Sequence, residues 1–413
     1  MAIIKPFKAY RPLENLVSDI AALPYDVMSS KEAREMVKDN KYSFLHVDRA
    51  EVNLDENVDI YSPIVYKTAR KVLDEMIDDG LYIEEKKPCI YIYEQIMNGR
   101  GQKGIVCCAS IDDYINNVIK RHEHTRKIKE LDRINHVDYC NANTGPIFLT
   151  YRDNKEISLI VEEWSKKKPI YDFISEDGNG HKVWIIDDND LISKLVSLFE
   201  NVPYLYIADG HHRSASAVEV GLKRRRANKN YTGEEPFNYF LAIIYPESEL
   251  KVLDYNRTVK DLNGLTKEEF FNKISEKFEI SESENNERVK PTCKHEFGMY
   301  IENQWYKLKA KDGTYDSSNP IDSLDVSILQ NNLLDPILGI KDPTKSDRIE
   351  FIGGIRGLSE LEKRADNDMK VSFSMFATTI DDIMNVADAN KIMPPKSTWF
   401  EPKPRSGIFI HRL

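Results

Sequence analysis

Ten residues, Tyr206-Ile-Ala-Asp-Gly-His-His-Arg-Ser-Ala215, constrain this chain more than any other stretch, because they pass from an apolar strand into a helix without a linker. Val202 to Ala208 has the unbroken apolar character of a strand covered on both faces. From Arg213 onward the chain is rich in Ala and becomes basic, as a helix favours toward its C-terminus. Between them Gly210 permits a tight turn, and the first free N–H groups of the helix would face whatever lies beside His211, His212 and Arg213. The plain alternative is a capped Asp-Gly turn. Three solvated or cationic side chains at a strand end instead favour an anion-handling corner.

With 413 residues, 41% hydrophobic and 31% charged, the chain predicts a globular protein of two domains, 1–245 with the corner and 246–413 with a Pro-Pro-Lys-Ser-Thr run, or one elaborated α/β domain with insertions. A net charge of -10 argues against a non-specific nucleic-acid binder and leaves room for a local basic site. The five cysteines lack C-x-x-C spacing and read as reduced, buried thiols. No signal-like start and no run of 18 apolar residues is present, so a cytoplasmic protein without a membrane partner is expected. A small molecule is the expected partner, and a homodimer is an allowed assembly.

Local patterning predicts an α/β chain of mixed α+β character. A helix from Ser30 is capped by Ser29 or Ser30, Tyr42–Val47 reads as a strand, and Tyr61–Gly80 as a long amphipathic helix. Asn98-Gly-Arg-Gly between two apolar runs signals a hairpin. A charged, helix-prone segment follows from Asp112 to Asp138. Strands are expected at 144–151, 182–187 and 237–245, with a helix at 189–200. Ser281–Arg288 reads as an exposed loop between candidate strands. The last seventy residues alternate strand and helix, and this βαβα order predicts a small parallel unit.

Three further segments bear chemistry. Lys120 to Arg133 packs titratable side chains densely; if helical, Glu123, Lys127 and Glu130 share one side, with His122, Arg126, Lys129 and Arg133 along another. A solvated face laced with ion pairs is the plain reading. Asn141-Ala-Asn-Thr-Gly-Pro146 is a turn or, through its amides, Asn143 among them, and the Thr144 hydroxyl, a polar rim that orients a substrate. Pro394-Pro395 stiffens the backbone ahead of Lys396, Ser397 and Thr398, a phosphate contact or an edge hairpin. Gly353-Gly-Ile-Arg-Gly357 matches neither phosphate-loop fingerprint.

Together Ala208-Asp-Gly-His-His-Arg213, His122-Glu-His-Thr-Arg126 with Glu130 and Asp132-Arg133, Asn141 to Phe148, and Met393-Pro-Pro-Lys-Ser-Thr-Trp-Phe400 resemble the signature blocks of a microbial family catalogued as a domain of unknown function (number one thousand and fifteen). Pro24-Tyr-Asp-Val27 and Ser43-Phe-Leu-His46 look like its opening blocks. More remotely, Gly210 to Ala217 is similar in order to the Gly-x-x-Arg box of ParB-like proteins, a group that includes free-serine kinases. That resemblance implies a ParB-like core with a mixed sheet and phosphoryl transfer to L-serine, with Mg2+ and ATP, ADP or pyrophosphate as donor. It sets Asp209, His211, His212 and Arg213 against donor phosphates and metal, and nominates Glu123 as base with Arg126 and Arg133 as supporting cations. Two other readings stay open: a non-catalytic, nucleotide-responsive ParB-like protein, and a metal-dependent hydrolase using His122, His124, His211 and His212.

Overall fold

The computed structural model describes residues 1–413. Two compact units divide it: Met1–Leu250 with Pro402–Leu413, and Lys251–Glu401. The chain therefore leaves the first unit once and returns to it, and the last twelve residues do not belong with the rest of the C-terminal part.

The first unit is built on a nine-stranded mixed sheet. In spatial order its strands are Ile119–Lys120, Leu205–Asp209, Ile147–Tyr151, Tyr239–Pro246, Arg100–Ser110, Ile90–Met97, Gly180–Ile186 and Tyr171–Ile174, with Ile4–Lys5 added against Arg100–Ser110. The Asn98-Gly99 hairpin forms as expected, with both residues at positive φ, 52° and 77°. One sheet face carries Ile92, Ile105, Cys107, Leu149, Ile207 and Ala242 into the main core, where Leu195 and Phe199 of the helix Asn189–Glu200 cover it. Period-two alternation explains this directly, since residues on the same strand two apart share a face.

A second core gathers the helices near the N-terminus. The helix Pro63–Asp78 buries Val65, Ala69, Leu73 and Met76 against Phe44, Leu45, Val47 and Cys140. Ser29 caps the helix Ser30–Val37 through a complete capping box with Glu32. Tyr42–Val47 is not a strand: Leu45–Asp48 forms a short helix, because its apolar residues at 44, 45 and 47 are all drawn into this helical core rather than a sheet. The charged segment is also not one helix. Ile111–Ile115 ends early, Asn117 turns at φ 58°, Ile119–Lys120 pairs in parallel with Leu205–Tyr206, and a helix resumes only at Lys127–Cys140.

The second unit carries a six-stranded sheet in the order Phe278–Glu282, Gln304–Ala310, Glu296–Ile301, Val371–Met375, Tyr255–Val259 and Ile349–Gly353. Every pairing is antiparallel. The expected parallel unit is thus corrected: Ile349–Gly353 and Val371–Met375 do not touch, because Tyr255–Val259 lies between them. Residues 281 and 282 extend a strand rather than a loop. Trp305, Phe297, Phe278 and Phe373 are fully buried in this unit. Cys89, Cys107, Cys108 and Cys140 are buried free thiols, whereas Cys293 is exposed, which the reading of all five as buried did not foresee.

Candidate functional site

Strand Leu205–Asp209 has a register shift between Ile207 and Asp209 against Ile147–Tyr151: Ala208 is skipped, and Asp209 closes the ladder opposite Phe148. Asp209 Oδ1 accepts the Gly210 N–H at 2.9 Å, while Oδ2 accepts from Lys403 Nζ at 3.0 Å and from Arg213 Nη2 at 3.4 Å. Burial alone would raise its pKa, but Lys403 and Arg213 hold the carboxyl well below the usual range. Gly210 stands at φ 94°, where a side chain would be strained and its Cβ would come within 3.0 Å of Arg213 Nε. The helix His211–Ala227 then starts with no side-chain cap. Its first N–H groups are therefore available to an anion, with the positive end of the helix dipole behind them.

Beside this end lies a small cavity of about 30 Å³ lined by Tyr25, Asp48, Arg133, His136, Asn143, Thr144, Arg213 and Ser216. Arg213 Nη1 donates to Pro146 O at 2.5 Å, and its Nε is buried without a partner. Arg133 pairs with Asp132 at 2.8 Å and lies over the Tyr25 ring at 4.0 Å. His136 sits 3.4 Å from Asp48 and 3.2 Å from the Thr144 hydroxyl, which donates to Asp48 at 2.7 Å. Burial disfavours a charge on His136, yet Cys140 and Asp48 outweigh it and hold its pKa up to about 9. Three cationic groups thus face one carboxylate across the space.

The loop 121–126 adds a histidine cluster. His211 is buried, and its Nε2 accepts weakly from the His122 N–H at 3.5 Å while Nδ1 lies 3.7 Å from Glu123 Oε2. This arrangement puts the ring proton on Nδ1, toward the carboxylate. The His122 ring meets His211 edge-on at 4.5 Å, and neither of its nitrogens makes a well-formed hydrogen bond. Burial drives His122 down to about 4 and His211 well below the ordinary histidine value, so both rings are neutral near pH 7. His212 Nε2 accepts the Arg126 N–H at 3.0 Å, tying the loop to the helix.

The fold therefore gathers Asp209, Gly210, His211, His212, Arg213, His122, Glu123 and Arg133 around one corner. Arg126 takes part through its backbone, its side chain being exposed. Asn143 lines the cavity, but its Oδ1 is committed to the Leu241 N–H at 3.1 Å. Lys396, Ser397 and Thr398 belong to the second unit, where the Ser397 hydroxyl donates to Pro394 O at 2.5 Å. Sequence reasoning missed Tyr25, Asp48, His136 and Lys403, whereas the Thr144 hydroxyl lies in the segment read as a polar rim. His136 was legible as the residue one helical turn beyond Arg133; Lys403, which arrives on the returning C-terminal segment, carried no signal. Gly353 and Gly354 are explained by packing, since Cβ atoms there would collide with the Trp399 ring, at 2.9 Å, and with the Asp254 carboxylate.

No three His, Cys, Asp or Glu side chains are gathered as a metal-binding group, so the four histidines do not build the centre that the hydrolase reading needs. Asp209 is likewise committed to cations, and the residues present do not fit a dedicated magnesium site. No helix is long and apolar enough to cross a membrane.

With an uncapped helix N-terminus set beside a cavity lined by Arg133, Arg213 and His136, the chain is a mixed α/β protein. It belongs to the family described as protein of unknown function, DUF1015, whose model matches residues 4–327. No curated protein matches it. Among solved structures, a variant of a free serine kinase in complex with AMP is 12% identical with a TM-score of 0.38, over 76% of this chain and 94% of that one. The same variant in complex with ADP is 13% identical with a TM-score of 0.37, over 74% and 92%. SbnI from Staphylococcus aureus, truncated at its C-terminus, is 9% identical with a TM-score of 0.37, over 73% and 84%.

Proposed function

We propose that this chain is a small-molecule phosphotransferase that moves a phosphoryl group from ATP, ADP or pyrophosphate to the hydroxyl of free L-serine. The observation that carries the reading is the buried, partnerless Nε–H of Arg213 above the uncapped start of the helix His211–Ala227. Phosphoryl transfer asks a protein chiefly for placed positive charge and a base for the acceptor hydroxyl. In this reading Arg213 and the helix N–H groups hold donor phosphate oxygens, supported by Arg133 and His136. Asp209 and Lys403 keep Arg213 in place. Glu123 takes the proton of the serine hydroxyl as its oxygen bonds to phosphorus and the bond from phosphorus to the leaving oxygen breaks. His211 orients Glu123, and His212 holds its loop. The acceptor is named from the sequence likeness to ParB-like free-serine kinases.

Incubation with L-serine, Mg2+ and each of the three donors should yield O-phosphoserine, read by mass spectrometry. No product with any donor would sink the proposal. A second reading, nucleotide binding without turnover, is favoured by the 55% exposure of the Glu123 side chain, on a loop outside the cavity lining. It predicts nucleotide binding that Glu123→Gln leaves intact and no product under any condition.

A further inference from the structure

Three arginines in this chain are buried, and two of them, Arg133 and Arg405, have carboxylate partners in Asp132 and Asp177. Arg257 has none. It sits on the strand Tyr255–Val259 of the second unit and is 4% exposed. Its Nη1 donates to Tyr255 O, its Nη2 donates to Lys396 O at 3.1 Å, and its guanidinium lies 5.4 Å from the Phe351 ring centre. Carbonyl oxygens and a ring face soften the loss of water but do not cancel a full charge, and burial pulls this arginine down to about 10.

The residue that meets Arg257 is itself unusual. Lys396 is a non-glycine at φ 60°, a conformation costing side-chain-bearing residues free energy. That backbone aims its carbonyl at Arg257 while its Nζ stands 5.6 Å over the Tyr255 ring. Tyr255 packs against Phe351 at 5.9 Å and Trp399 at 5.1 Å. A buried cation without counter-charge, a second cation over the neighbouring Tyr255 ring and an aromatic wall form one cluster.

We propose that Arg257 and Lys396 form an oxyanion site in the second unit that takes the phosphate group of a small molecule. The planar guanidinium offers its remaining N–H donors to two oxygens at once, and the ligand supplies the charge that the protein lacks there. This site stands on residues of the second unit alone and does not depend on the reading given for the first.

Trp399, part of the cluster, provides a local reporter. Titrating the full chain with inorganic phosphate, and separately with AMP, against chloride at matched ionic strength should give a saturable change in tryptophan emission that Trp399→Phe abolishes. Arg257→Met and Lys396→Ala should each weaken phosphate binding about tenfold, while Arg213→Ala keeps the Trp399 signal whatever it does to turnover. Without ligand, Arg257→Met should melt no lower than the parent, since it removes an uncompensated buried charge. Should that variant fail to fold, Lys396→Ala, at an exposed position, decides. Absence of a Trp399-dependent signal with both phosphate and AMP, unchanged affinity in Lys396→Ala, or an equal response to acetate would each overturn the proposal. Tighter binding of AMP than of inorganic phosphate would identify the ligand as a phosphate ester.

Discussion

Arg213 spends Nη1 on Pro146 O and Nη2 on Asp209, and its buried Nε has no partner within the protein. Arg213→Ala should therefore lower kcat/KM for phosphoryl transfer at least thirtyfold, roughly 2 kcal/mol of lost transition-state contact. Unchanged turnover would reduce the corner to a structural turn. His136 makes a separate prediction about pH. Its folded pKa of about 9 lies above the ordinary 6.5, so its stabilising contribution is complete below pH 6.5 and disappears as pH rises through 9. Urea titrations should show an alkaline loss on the order of 2 to 3 kcal/mol across that window, and His136→Gln should flatten it. A parent protein equally stable at pH 6.5 and 9.5 would contradict the assignment. At this scale the residue types of the corner were legible from spacing, because strand, glycine and helix are contiguous; Tyr25, Asp48 and Lys403 were not, because nothing in sequence distance brings them to position 213.

The helix His211–Ala227 is held down by a close approach in its middle. A Cβ on Gly221 would lie 2.5 Å from Phe237 O and 2.7 Å from Ile111 Cδ1, and a backbone carbonyl cannot swing away as a side chain does. Gly221→Ala should cost about 1 to 3 kcal/mol through overpacking and should loosen the corner as the helix shifts. Thermal melting together with donor affinity tests this, and an unperturbed midpoint would show that the helix has room. The same scale explains where the charged segment 112–138 departed from expectation. Helical spacing of Glu123, Lys127 and Glu130 is real in the sequence, but the edge of the sheet claims Ile119–Lys120 and breaks the helix. That strand pairing brings His122 and Glu123 to His211, which no continuous helix would have done.

The path of the whole chain sets the last constraint. Ile408, Phe409 and Ile410 are fully buried in the first unit, His411–Arg412 pairs with Ala142–Asn143, and Tyr82 OH donates to Gly407 O at 2.9 Å. A chain ending at Glu401 should lose about 2 kcal/mol for each of those three apolar side chains, and with it Lys403. Limited proteolysis should then cut within 1–250 while 251–401 resists; equal resistance of both would refute the claim. Acid should act on the native protein too. His122 and His411, held neutral at about 4, and His181, at about 3, lie below the ordinary value, so their contribution is present above pH 6.5 and lost as pH falls through 4 and then 3. Circular dichroism across pH 3 to 7 reads that loss, and a flat profile would contradict it.

The mixed α/β class, the hairpin at Asn98-Gly99, the long helix after Ser62 and the strand-to-helix corner at Gly210 all follow from sequence, because each rests on local periodicity or on one residue's backbone freedom. Tertiary structure alone decided that Tyr255–Val259 separates two strands read as neighbours, that residues 402–413 return to the first unit, and that Arg257 lies buried without a counter-charge. Those features depend on contacts between residues far apart in the chain, where burial and pairing outweigh any preference a short segment can express.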